Sequence, residues 1–271
     1  MVTQEQRKRQ LAREKFLRQQ QRRTSARRKA RMRNSVIASV LGVIIIGSLA
    51  LYTTGVLKDD DKTNASSETT PSASPSAAKD PCEKPAAGSI KTQTWKKEPA
   101  VTIDTSAKYT MTLATTCGDI GIALKAKAAP HTVNSFDFLA GKGYFDHTKC
   151  HRLTTKGIYV LQCGDPTGQG SGGPGYTIPD ENLKDAALKA NTYPAGTVAM
   201  ANTGQAHTGG SQFFLVYQDS QLPPSYTPFG TVSADGMKVL RKIAAAGENT
   251  GAGDGAPNAT VVINKATVTK S

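Results

Sequence analysis

Residues 35–57 form a run of 23 positions without one charged side chain, and this run divides the chain into parts that must live in different surroundings. As a helix rising about 1.5 Å per residue it would reach about 34 Å, enough to cross a hydrocarbon core of about 30 Å. A helix of that length on a protein core would carry a polar stripe, and this one has none. The run is therefore read as a single membrane-spanning helix. Flanking charge gives its direction. Residues 1–33 hold 13 of the 34 Lys and Arg and 2 of the 21 Asp and Glu, a net of +11 out of the chain's +13. The other flank, Lys58-Asp59-Asp60-Asp61-Lys62, is nearly balanced. The positive-inside rule then puts residues 1–34 in the cytoplasm and the bulk of the chain outside, as an uncleaved signal anchor. A cleaved signal peptide fits less well, because the basic region is long and no small-x-small site follows the apolar run. The basic segment would touch anionic lipid headgroups. Nucleic acid is not an expected partner, since the remainder of the chain is close to neutral.

Beyond the span, residues 58–81 are rich in Ser, Thr, Ala, Asp and Pro, which cannot bury a core and read as an extended tether. Residues 82–105 are transitional, so 58–105 is taken as an extracytoplasmic linker. Globular patterning starts near Tyr109 and defines a domain over 106–271. Residues 109–116 and 120–124 alternate apolar and polar around Cys117-Gly118-Asp119, a β-hairpin. Pro130 opens a helix with Val133, Phe136 and Leu139 on one face, and Gly141 and Gly143 close it. Short strands are expected at 151–153, 160–163, 197–201, 213–217 and 260–264, with a second helix near 237–245. Many short strands with two helices suit a closed antiparallel barrel. All four cysteines (Cys82, Cys117, Cys150, Cys163) lie beyond the apolar run, which fits an oxidising exterior. An even number allows two disulfides in three connectivities, or free buried thiols.

Two segments about sixty residues apart carry the chemistry. One reads Cys150-His151-Arg152-Leu153, then Tyr159-Val160-Leu161-Gln162-Cys163-Gly164-Asp165. The other reads Ala199-Met200-Ala201-Asn202, then Gly209-Gly210-Ser211-Gln212-Phe213-Phe214. With the Pro-x-Thr-Val-x-x-Phe helix before them, and Phe229-Gly230-Thr231-Val232 and Gly236-Met237-Lys238-Val239 after them, they resemble the cyclophilins, a family of peptidyl-prolyl cis-trans isomerases. The resemblance runs from Tyr109 to Val268 and is nearest to membrane-anchored cyclophilins of actinobacteria. It implies a closed eight-stranded antiparallel β-barrel capped by two α-helices, and no cofactor or metal. It makes Arg152 the catalytic guanidinium, oriented with the substrate by Gln162 and Gln212. Asn202 and Ala201 would bind substrate backbone. Tyr159, Val160, Phe214, Leu222 and Tyr226 would line a proline pocket. Adjacent barrel strands would let Cys150 bridge to Cys163, leaving Cys82 to Cys117. Expected substrates are prolyl segments of unfolded or exported proteins.

The chain departs from the family's pattern in four places. The loop around Lys156-Gly157-Ile158 is longer by about two residues, and Gln205-Ala206-His207 by about one. Gln221 stands where the family often has Trp, and Tyr226 where it often has His. Loss of an indole at 221 predicts weak cyclosporin binding.

Other chemistries fit worse. Gly168-Gln169-Gly170-Ser171-Gly172-Gly173 matches a dinucleotide fingerprint by letter, but Pro174, Gly175 and Pro179 prevent a following helix. Cys150-His151 are adjacent, and neighbours on a strand point to opposite faces. Ser211 lacks a nucleophile elbow, and His131, His147, His151 and His207 lack metal-ligand spacing. The rival reading from another class is a binding module that holds Pro-containing segments without turnover.

Overall fold

The computed structural model describes residues 80–271. The basic segment, the expected membrane span and the first part of the tether lie outside them. Among the described residues no helix is long and apolar enough to cross a membrane.

In chain order the elements are β1 (Tyr109–Thr115), β2 (Gly118–Leu124), α1 (Pro130–Gly141), β3 (Thr148–Lys149), β4 (Arg152–Thr154), β5 (Val160–Cys163), β6 (Thr192–Tyr193) and β7 (Thr197–Met200). There follow β8 (Phe213–Val216), β9 (Ser220–Gln221), β10 (Pro228–Val232), α2 (Ala234–Ala245), β11 (Asp254–Gly255) and β12 (Val262–Lys270). The first hairpin forms where alternation put it. Tyr109, Met111 and Leu113 all point inward, and Leu113 pairs with Ile120 and Met111 with Ile122. The core is sealed by Phe136 of α1, whose ring lies 4.5 Å from Phe229, 5.3 Å from Phe145 and 5.4 Å from Phe213.

The sheet differs in detail from the ring of eight strands expected above. One ladder joins ten strands in the order β11-β4-β5-β8-β7-β10-β2-β1-β12-β3, and β6 pairs with β9 apart from it. The sheet curls because one stretch of chain serves both ends. Thr148–Lys149 pairs with β12, and three residues later Arg152 pairs with Gln162 of β5. Between them Cys150 N–H donates to Val261 O (3.0 Å) and His151 N–H to Gln162 O (3.1 Å). The added two-residue strands, β3, β6, β9 and β11, are too short to show periodicity.

Both helices are capped from named side chains. Pro130 starts α1, where a missing N–H costs nothing. The next two donors, His131 N–H and Thr132 N–H, reach the Glu181 carboxylate at 3.1 and 2.9 Å. Helix α2 begins at Ala234, three residues before the expected start, because Ser233 Oγ accepts Gly236 N–H at 3.1 Å. Replacing Ser233 by alanine is expected to destabilise the domain by about 1 kcal/mol, a drop of about 2–4 °C in Tm by thermal unfolding.

Disulfides join Cys82 to Cys117 and Cys150 to Cys163, with Cα separations of 4.3 and 4.0 Å. The first fastens to the domain a segment read from the sequence as linker. Residues 80–105 form no helix or strand, yet they lie along the surface as a strap. Asp80 accepts Thr260 N–H, Asn134 Oδ1 accepts Thr102 N–H, and Trp95 N–H donates to Pro174 O at 2.8 Å. The Trp95 ring meets Phe138 edge-on at 5.1 Å. The C-terminal half of the segment therefore belongs physically to the domain.

Candidate active site

A cavity of about 560 Å³ opens beside β4, β5 and β8. Its floor is a small apolar cluster separate from the main core, built on Val160, Tyr193, Ala199, Phe214 and Val216. Ile158, Val160, Ala201, Phe214, Leu222 and Tyr226 face the space, with Arg152, Gln162 and Asn202 at its polar side. The Phe214 and Tyr226 rings stand edge to face at 5.5 Å. This is a slot for a compact apolar group with hydrogen-bond donors along one rim.

Arg152 and Gln162 are directly paired across β4 and β5. Arg152 Nη1–H donates to Gln162 Oε1 at 3.1 Å, Gln162 Nε2–H to Gln212 Oε1 at 2.9 Å, and Gln212 Nε2–H to Gly172 O at 2.9 Å. The polarity of this relay is dictated at its start, because a guanidinium can only donate and so turns the Gln162 oxygen toward itself. Arg152 also holds Asp254 through Nε–H (2.7 Å) and Nη2–H (2.8 Å). That hydrogen bonding raises the guanidinium pKa against the opposing effect of burial, so Arg152 is charged at every working pH.

The structure brings most of the sequence-predicted residues together, with two exceptions. Tyr159 does not line the cavity. Its ring packs on Tyr217 at 5.9 Å and its N–H donates to Ser220 Oγ, while Ile158 and Val160 face the slot on either side of it. Alternation along extended chain explains the swap. Gln212 lines a second, adjoining cavity of about 700 Å³ bounded by the 170–177 loop, and Gln162 lies between the two. Asn202 lines both, with its side chain already engaged: Nδ2–H donates to Ser225 O at 2.8 Å and Oδ1 accepts Gly204 N–H at 3.0 Å. Gln221 is exposed on β9 and is not among the lining residues, whereas Leu222 is.

Sequence reasoning missed four contributors. Tyr193 is fully buried beneath the slot, donating its hydroxyl to Tyr226 O (2.8 Å) and accepting Tyr226 N–H (3.1 Å). Burial pushes its hydroxyl pKa up to about 12, so it stays a neutral clamp on the aromatic wall. His151 lines the slot with neither ring nitrogen hydrogen-bonded, and burial lowers its pKa, favouring neutral imidazole. Its neighbour Cys150 is tied up in the disulfide, which removes the thiol a dyad would need. Asp165 is fully buried beneath the 166–172 loop. Asp254 is the fourth. Tyr193 and Asp254 fall in no motif or periodic run, whereas His151 and Asp165 stand inside the 150–153 and 159–165 segments with no signal there that gives them a part in the slot or its loop.

Comparison with known proteins agrees with this geometry. A family model described as cyclophilin type peptidyl-prolyl cis-trans isomerase/CLD matches residues 110–268. The probable peptidyl-prolyl cis-trans isomerase B of Mycobacterium leprae is 52% identical over 165 residues, covering 58% of this chain and 56% of that protein. Its Mycobacterium tuberculosis counterpart is 49% identical over 165 residues, covering 58% of this chain and 53% of that protein. The match therefore spans little more than half the length of these curated relatives. A crystal structure of a Cryptosporidium parvum cyclophilin type isomerase covers 60% of this chain and 99% of its own, with a TM-score of 0.51 and 27% identity. A second structure of that protein, in the presence of the dipeptide Ala-Pro, gives 0.50 and 28%.

Proposed function

We propose, since this chain belongs to the cyclophilin-type peptidyl-prolyl cis-trans isomerase family, that its described domain catalyses cis-trans isomerisation of prolyl bonds. The observation that carries the reading is Arg152, held by Gln162 at the rim of an apolar slot the size of a proline ring and its neighbours. A prolyl amide resists rotation by about 18–20 kcal/mol because the nitrogen lone pair is delocalised into the carbonyl. In the twisted state that lone pair is free to accept a hydrogen bond, which it cannot do in the planar ground state. A guanidinium donor beside an apolar wall therefore stabilises the twisted state selectively. Nothing in this step needs a nucleophile or a proton transfer. Ile158, Val160, Phe214 and Leu222 hold the ring, while Ala201 and Asn202 lie where substrate backbone would run. The test is isomerisation of an Ala-Pro peptide by the full chain. Catalysis above the spontaneous rate is expected; a folded chain with none would favour the module that binds prolyl segments without turnover.

The reading extends to fold and place. Residues 148–154 act as one stave of the barrel, paired to β12 at one end and β5 at the other, which makes a closed ring of eight with β11 as an addition. The domain sits outside the membrane on a single-pass anchor at 35–57, with residues 1–34 cytoplasmic and against anionic lipid. There it accelerates folding of exported chains, whose prolyl bonds otherwise take tens to hundreds of seconds to isomerise. Both disulfides suit that oxidising side. Protease added to intact cells should remove the domain and spare residues 1–34; a domain protected until lysis would overturn the placement.

Cyclosporin should bind weakly, because Gln221 offers no indole beside Leu222. Restoring it with Gln221→Trp is expected to tighten binding by about two- to tenfold, the order one aromatic contact of about 0.5–1.5 kcal/mol allows. Calorimetric titration of both proteins measures the difference, and equal affinities would remove Gln221 as the cause.

A further inference from the structure

Three of the five N–H donors of the Arg152 guanidinium are used inside the domain, two by Asp254 and one by Gln162. Two remain for a prolyl amide. The side-on pair with Asp254 removes rotational freedom that a single bond to Gln162 would leave, since a two-pronged carboxylate fits a planar guanidinium in one orientation. Asp254 itself is presented by a tightly built loop. Its backbone pairs with Thr154 and that of Gly255 with Leu153, so β11 lies beside the very strand that carries Arg152. Thr155 N–H donates to Gly253 O at 2.9 Å. The Glu248 carboxylate gathers Thr250 N–H at 2.6 Å and Gly253 N–H at 2.8 Å, closing the turn. Gly253 has φ +101°, and the Lys156 stem occupies the place of any Cβ. Such construction is more than a surface ion pair needs, and its product is one carboxylate beside one guanidinium at the edge of the slot.

We propose that Asp254 is a positioning residue for the isomerase reaction: it restricts Arg152 to the orientation in which the two free N–H groups face the prolyl nitrogen. It touches no reacting atom and acts through Arg152. Freed of this partner, the long arginine side chain would sample several rotamers, and only a fraction of bound substrate would meet a correctly aimed donor. Turnover, not binding, carries the effect, because the apolar slot that holds the ring is untouched. The proposal rests on the isomerase reading.

The experiment compares the full-length wild type with Asp254→Ala, Asp254→Asn, Asp254→Glu and Arg152→Ala on an Ala-Pro peptide. For Asp254→Ala, kcat should fall about tenfold while KM stays within about twofold, and Asp254→Glu should recover most of the loss. The proton-nitrogen resonance of Arg152 Nε reports the pairing directly. It should shift and exchange faster with water in Asp254→Ala, with backbone amide signals of β4 and β11 unmoved. If the alanine variant does not fold, Asp254→Asn, of equal size, takes its place with the same expectations. An active wild type with kcat unchanged in these variants, or an unmoved Nε resonance, overturns the proposal alone. So does a loss that glutamate does not recover and that comes with displaced β4 and β11 amides, which would make Asp254 a structural support. An inactive but folded wild type overturns the isomerase reading and the proposal with it.

Discussion

Replacing Arg152 by alanine should lower the rate of prolyl isomerisation by about ten- to two-hundredfold, the equivalent of one charge-assisted hydrogen bond of about 1.5–3 kcal/mol made in the transition state. The planar prolyl nitrogen has no lone pair to offer, so the guanidinium gains this bond only as the amide twists. The loss must therefore fall on kcat, with KM within about twofold of wild type. Arg152→Lys should recover little. A lysine has no planar fork, so it cannot hold Asp254 and Gln162 and still aim a donor into the slot. Folding should survive either change, because the Arg152 and Asp254 side chains are 37% and 57% exposed and water can take over the freed groups. Steady-state kinetics with matched thermal unfolding checks the claim. A variant as active as wild type would mean that the slot alone does the work.

Asp165→Asn should destabilise the domain by about 3 kcal/mol and disorder the loop that borders both cavities. The wild-type carboxylate is fully buried and surrounded by donors. Thr167 N–H reaches Oδ1 at 2.7 Å, and Gln169, Gly170 and Ser171 N–H reach Oδ2 at 3.1, 2.6 and 3.0 Å. An amide of the same shape turns one of those acceptors into a donor facing donors, so asparagine is no conservative change here. The chain cannot easily shift to compensate: Gly164, just before, has φ +86°, and a Cβ there would collide with Ser211 O. In a domain of this size the expected fall in Tm is about 6–12 °C. Linkage gives a second check. Burial alone would raise the Asp165 pKa, but the N–H groups of Gly172, Thr167 and Gly170 and the Thr167 hydroxyl outweigh it and hold it below its ordinary value. A depressed folded-state pKa stabilises above the unfolded value near about 4 and stops doing so as pH falls through the folded value. The gap between wild type and Asp165→Asn should thus be full at pH 7 and shrink below about pH 4. A gap that does not depend on pH would mean that the lost stability is packing, not charge.

The parts of this domain that could be read from the chain are those governed by neighbours in sequence. Alternation over 109–124 marks the first hairpin, and Pro130 with Val133, Phe136 and Leu139 marks α1. Arg152 and Gln162 were legible as a pair only through their motif, and the ladder that sets them opposite each other agrees with it. Helix α2 starts earlier than its apolar pattern predicts, because Gly236 in its first turn hides the Ser233 cap. The motif position of Tyr159 predicts it in the slot, and the fold turns its ring to the other face, against Tyr217.

Taken alone, the sequence determined the periodic elements, the even set of cysteines beyond the apolar run and the residue types a prolyl site requires, because propensity, patterning and capping act within a few residues. Only the tertiary structure decided what reaches those elements from afar. Asp254 meets Arg152 across 102 positions, Glu181 caps α1 from 50 positions away, and Tyr193 clamps Tyr226 from 33. Trp95 meets Pro174 from within a segment of linker-like composition. Each of these partners lies outside the periodic core strands, in loops, short strands or the strap, where hydrogen bonding is completed by whatever the fold brings near. Such pairings leave no trace in local patterning, since the energy that selects them exists only after the chain has closed on itself.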